Sequence, residues 1–143
     1  MPRLDAERVA LWRLFCTTAN DVQRRVDEQL VAEHDLQLTW FEVLSALRES
    51  PLRVRDLCDR LDEVASSLSR RLDRMVADEL VRRERSALPD DKRVVIVSIT
   101  AAGRLAWREA NVTYRRAVQH EFAHSLTETD ISALLRVLGK ASG

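Results

Sequence analysis

One stretch constrains this fold more than any other: PDDKRVVIVSITAAG, residues 89–103. The charged turn Asp90-Asp91-Lys92-Arg93 runs into a β-branched run that predicts a strand over residues 94–99, and helix-forming residues follow Thr100. Upstream, Val81 to Ser86 predicts a partner strand, so the two make a hairpin with its tip at Ala87-Leu88-Pro89-Asp90-Asp91-Lys92. A hairpin in this position, after two short helices and before a long one, is the wing of a winged helix-turn-helix. A wing carries a cation where it can meet the negative potential of a narrow DNA minor groove.

Hydrophobic periodicity supplies the helices around it. The first is predicted over about residues 5–33, with Leu11, Phe15, Thr18, Val22, Val26 and Leu30 on one face and His34-Asp35 as its stop. The second is predicted to start at Thr39-Trp40-Phe41-Glu42, read as a capping box with Leu38 and Val43 as a staple, and to run to about Glu49 before Ser50-Pro51. A short third helix spans about residues 54–61, with Val54, Leu57, Cys58 and Leu61 inward. The fourth spans about 64–79. Leu68, Leu72, Met75 and Val76 face in, and Ser66, Ser67, Ser69, Arg70, Arg71 and Arg74 face out. A fifth helix runs from a Thr100 cap to about His124, and a sixth starts at the box Thr127-x-x-Asp130 with Leu126 and Ile131 as its staple.

The outward row of the fourth helix is suited to DNA. Small hydroxyls allow close approach to phosphates and base edges, and arginines one turn later reach phosphates or guanine. The overall charge gives no such hint, because 23 basic residues balance 23 acidic ones. Residues 64–93 hold eight cations against six acids, a mild local excess. Binding is therefore expected to lean on positioning and on paired sites more than on bulk charge. The same neutrality suits a competing reading, a winged module that docks onto other proteins.

Composition sets the remaining bounds. One domain is expected from 143 residues, with 45% hydrophobic content for its core and only three glycines and three prolines to interrupt helices. No apolar run is long enough to span a membrane, and the start lacks the apolar segment of a signal peptide. Two cysteines, Cys16 and Cys58, are too few for a disulfide framework and fit a cytoplasmic protein. No phosphate loop, nucleophile with a base, or metal cluster suggests an enzyme or a cofactor. The apolar ends, residues 5–35 and 104–143, flank a winged module over 38–100 too small to cover both. A homodimer is the expected solution.

With these elements in order, the chain resembles the MarR family of bacterial transcriptional regulators. The family's wing signature, Asp-x-Arg, five residues, then Leu-Thr-x-x-Gly, stands here as Asp91-Lys92-Arg93, VVIVS, Ile99-Thr100-Ala101-Ala102-Gly103. Ile99 is the single change. The resemblance implies one MarR-like domain over residues 1–143 that acts as a dimeric DNA-binding regulator, in most cases a repressor on a pseudo-palindromic operator. Arg93 would be the minor-groove arginine, with Lys92 beside it, and Asp91 would hold wing arginines in place. Ser66, Ser67, Ser69 and Arg70 would face the major groove, Arg71 would lie beside them, and Arg74 would meet the backbone or Asp91. A departure is Glu79, where the family has glycine; a glutamate tolerates positive φ poorly, so this turn is expected to be built differently.

The resemblance also implies a small aromatic effector in a crevice between the dimer helices and the winged module, where Trp12, Phe15, Trp40 and Phe41 are candidates. Core packing is the plainer reading of all four. Cys16 stands near the reactive cysteine of peroxide-sensing members. A thiol without a nearby cation or donor stays protonated, so packing is the expectation for it, as for Cys58. His120 and His124 have the i, i+4 spacing of paired metal ligands, but two ligands do not make a site.

Overall fold

The computed structural model describes residues 5–85 and 94–143. The expected wing tip, with Asp91, Lys92 and Arg93, lies outside the described residues. Helix α1 (Ala6–His34) is capped by Asp5, whose carboxylate accepts from the Glu7 amide, and ends where Asp35 turns left-handed at φ 51°. Its second half carries the buried Val26 and Leu30 into the core.

Helix α2 (Leu38–Leu47) corrects one expectation. It starts before Thr39, so Thr39 and Glu42 form no capping box. Gln37 is the N-cap and makes no side-chain capping bond. The Leu38 amide instead donates to Asp27 Oδ1 of α1 at 2.8 Å. A tertiary carboxylate thus satisfies an orphan amide at the start of α2, where a local threonine–glutamate box was expected to do the capping, and it ties α2 to α1.

Strand β1 (Leu52–Arg53) follows, then α3 (Val54–Leu61), α4 (Ala65–Ala77), β2 (Val81–Arg85) and β3 (Val95–Ile99). The sheet order is β1-β3-β2, antiparallel throughout. Val81 pairs with Ile99 and Arg85 with Val95. β1 was absent from the sequence reading, since two residues beyond a proline carry no alternation. Leu57 of α3, Leu68, Leu72 and Met75 of α4, and Val81 and Val97 of the sheet are buried with Phe41, Leu44 and Leu47 of α2. The expected architecture is the one observed: mainly helical, with a small antiparallel wing sheet.

The α4–β2 turn shows why Thr100 and Gly103 stand where they do. Glu79 adopts φ 62°, so this turn has the left-handed geometry of a glycine cap after all, and the expected rebuilding is not found. The Leu80 amide donates to Met75 O and the Glu79 amide to Val76 O, both at 2.9 Å, which is the Schellman pattern. The Thr100 hydroxyl donates to Glu79 O at 2.6 Å and also lies 3.0 Å from Leu80 O, and it accepts from the Gly103 amide at 2.9 Å. One hydroxyl thus locks the turn and caps the next helix, which offsets the strain at Glu79. Glu79→Gly is expected to stabilise the fold by about 1 kcal/mol, measured as a rise in the midpoint of chemical denaturation at unchanged slope.

Helix α5 (Ala101–Val118) widens into a π-helical turn (Gln119–Ala123) where one α-helix was expected, and α6 (Glu128–Ala141) begins at the expected Thr127–Asp130 capping box. Glu121 in the widened turn accepts from Arg25 at 3.4 Å and Gln29 at 3.3 Å of α1. Farther along the same seam, the buried Thr113 hydroxyl donates to Glu33 Oε2 at 2.7 Å, His34 Nε2 lies 2.6 Å from it, and Arg116 grips both Glu33 oxygens. The Thr113 hydroxyl, and after it Arg116, hold the Glu33 carboxyl below its usual range. By contrast, α6 makes no extensive contact with any other element. Leu135, Val137 and Leu138 on it are exposed, as are Leu11, Trp12 and Leu14 on α1 and Val112 on α5.

Candidate nucleic-acid interface

Helix α4 is amphipathic in the sense a reading helix requires. Leu68, Leu72 and Met75 are buried on one side, and Ser66, Ser67, Ser69, Arg70 and Arg74 are exposed on the other. Ser66, Arg70 and Arg74 fall one turn apart, so a hydroxyl and two guanidinium groups share one stripe, with Ser67 beside it. Neither Arg70 nor Arg74 pairs with a carboxylate among the described residues. The one acid on this face, Asp73, is paired to Arg83 of β2, which cancels a charge that would repel phosphates.

Arg71 does not belong to that face. Its side chain is 14% exposed and pairs with Glu63 at 2.8 Å, which ties α4 to the turn after α3. Sequence spacing grouped three arginines, and the helix turns Arg71 toward the carboxylate that precedes its own first turn. Arg60 plays a similar internal part, donating to Ala46 O of α2 at 3.0 Å. Arg82 and Arg85 of β2 are exposed and extend the cationic edge toward the wing. Asp91, Lys92 and Arg93, expected at the wing, lie outside the described residues.

A cavity of about 870 Å³ lies between α1, the start of α2, the end of α5 and α6. Of the four aromatics expected in an effector crevice, Phe15 alone lines it. Phe41 is 2% exposed and sits in a stack, 4.6 Å from the Tyr114 ring and 6.3 Å from Trp107. Trp40 packs on the core, and Trp12 is 64% exposed and stacks on Phe15 at 6.2 Å. Helix α2 is apolar nearly all round, so periodicity could not say which side faced the cavity. The polar lining includes Glu42, Tyr114, Glu63 and Arg60 besides Thr18, Gln23 and Thr39; the sequence pattern assigned Tyr114 no site role and Glu42 only a capping one. Burial pushes the Glu42 carboxyl up, and burial followed by the Glu42 charge pushes Tyr114 up.

That shift has a stability consequence. A carboxyl raised in the folded state is favourable to folding when protonated and costs stability once pH rises through its folded pKa. Glu42→Gln is therefore expected to raise the melting temperature at pH 7, with the gain shrinking as pH falls toward the ordinary value of 4.5. Melting curves of both proteins across pH 4 to 8 check it, and a gain independent of pH would contradict the assignment.

Cys16 and Cys58 are free and partly buried. The His120 and His124 rings stack at 6.1 Å, and no group of three or more metal-ligating side chains occurs among the described residues. No helix among them is long and apolar enough to cross a membrane.

Comparison with known proteins agrees with this geometry. A family model described as MarR family matches residues 34–93. The transcriptional regulator TcaR of Staphylococcus aureus is 24% identical over 124 residues, covering 87% of this chain and 82% of its own. A MarR family transcriptional regulator from Streptomyces coelicolor, solved in complex with DNA, superposes with a TM-score of 0.87 at 26% identity, over 99% of this chain and 90% of that one. A mutant of MarR from Escherichia coli, complexed with operator DNA, gives a TM-score of 0.82 at 26% identity, over 98% and 99% of the two chains.

Proposed function

We propose that the chain is a transcriptional regulator of the MarR family, and that it is a homodimeric repressor that binds double-stranded DNA at a pseudo-palindromic operator. Residues 1–143 form one unit in which 38–100 read DNA, while 5–35 and 104–143 pair with a second copy. The observation that carries this reading is the exposed stripe of Ser66, Arg70 and Arg74 on a helix anchored by its opposite face, with Asp73 neutralised by Arg83. Related proteins solved with DNA or operator DNA support it. Ser66, Ser67, Ser69 and Arg70 meet base edges, and Arg74 meets phosphate. Arg93 enters the minor groove beside Lys92, held by Asp91. Arg71 contributes by fixing α4 through Glu63.

The signal is a small apolar molecule that enters the cavity beside Glu42, Tyr114 and Phe15 and changes the spacing of the two reading helices. The function is tested by binding the purified protein to a fluorescent duplex from its own upstream intergenic DNA, against a scrambled duplex, over a salt series. A preference that persists at physiological salt, on top of a steep overall loss of affinity with salt, is the expected result. Salt-insensitive binding, or equal binding to both duplexes, would contradict it.

A further inference from the structure

Among the described residues, the exposed large hydrophobic side chains lie on α1, α5, the π-helical turn and α6, with a single exception. These are the elements assigned to a second copy. The exception is Val64, which at 69% is also the most exposed of them all. It occupies the N-cap of α4, in extended backbone at φ −80° and ψ 145°, and its carbonyl accepts the Leu68 amide at 3.2 Å. A valine there is costly twice over. It cannot accept a hydrogen bond from the orphan amides of the first turn, as serine, threonine, aspartate or asparagine would, and it leaves two methyl groups in water. Among the described residues nothing recovers either loss.

DNA offers a specific partner for an apolar group at this point. In the major groove the edges of the base pairs are polar, with one exception, the 5-methyl group of thymine. Val64 precedes Ser67 by one helical turn, at the end of α4 that enters the groove first. We infer that Val64 is a specificity-determining residue that packs on a thymine methyl in each half of the operator. The inference rests on α4 reading DNA, and it adds a preference that the hydroxyls and arginines of the helix do not supply.

The test uses a duplex enriched from a random library by the parent protein, with each thymine replaced in turn by deoxyuridine. This removes one methyl and changes no hydrogen-bonding group. One position in each half-site is expected to weaken parent binding about fourfold, and the two together about fifteenfold, the scale of one buried methyl per half-site. Val64→Ala should bind the thymine duplex at that weakened level and be indifferent to deoxyuridine at the same position. Val64→Ser should also lose the sensitivity, yet melt a few degrees higher because it restores the cap, so a damaged fold cannot account for the result. A parent with no deoxyuridine-sensitive position, or a sensitivity that survives in Val64→Ala, would overturn the inference alone. Failure to enrich any duplex would overturn both the inference and the function beneath it.

Discussion

Gly103→Ala is expected to destabilise the fold by about 3 kcal/mol, at the upper end of what overpacking costs. A methyl built on Gly103 would stand 2.1 Å from the Leu80 carbonyl oxygen, 3.1 Å from the Leu80 carbonyl carbon and 2.8 Å from Ile99 Cγ1. The nearest obstacle is backbone, so no side-chain rotation relieves it. That carbonyl also accepts the Thr100 amide at 3.1 Å and lies 3.0 Å from the Thr100 hydroxyl. Moving it disturbs the cap of α5 and the turn that delivers α4 to β2. The glycine is required for close approach, since no glycine here has a positive φ. A thermal midpoint lower by roughly 6–12 °C is expected. A midpoint within a degree of the parent would show that α5 can lift off the turn freely.

The largest expected effect on activity comes from α6. Leu135 is 68% exposed and Leu138 43% exposed on a helix that lacks extensive contact with the other described elements. Leu135→Glu with Leu138→Glu would place two unpaired carboxylates in the proposed seam between copies, where unpaired buried charge is strongly unfavourable. Helix α6 makes no extensive contact with the described elements of the winged module, so that module's fold should survive. Light scattering is expected to give half the parent's mass. DNA affinity should fall at least 100-fold, because each copy would then bind one half-site without the gain from linkage. A variant that stays dimeric would place the seam elsewhere.

The legible parts of this protein are those written in local patterns. The 3.6-residue period gave α1, α3 and α4 within a residue or two of their observed ends, and the Thr127–Asp130 box gave the start of α6. The outward row of α4 was legible for the same reason, since Leu68, Leu72 and Met75 fix which side is in. What escaped depends on partners distant in sequence. Asp27 caps α2 from another helix, so the local box at Thr39 misled. Glu63 captures Arg71 across eight positions, and spacing alone could not separate it from Arg70 and Arg74. Strand β1 exists because Leu52 and Arg53 pair with Val97 and Ile96, and those pairings are invisible in a two-residue run.

Glu79 is a different case. Its side chain opposes the left-handed conformation it adopts, and the conformation is imposed by the Thr100 hydroxyl and the Schellman bonds around it. Propensity argued for a rebuilt turn, and tertiary hydrogen bonding prevailed. The cavity polarity was hidden for a related reason. Glu42 looked like a capping residue and is instead a half-buried carboxyl in an apolar lining.

The most direct test of paired reading helices is selection of duplexes from a random library by the purified protein, followed by sequencing of the bound fraction. Two copies, each with α4 in the major groove, predict an inverted repeat whose half-sites are centred about one helical turn, 10–10.5 base pairs, apart. Enrichment of a single unrepeated site, or no enrichment above the starting library at physiological salt, would contradict the account.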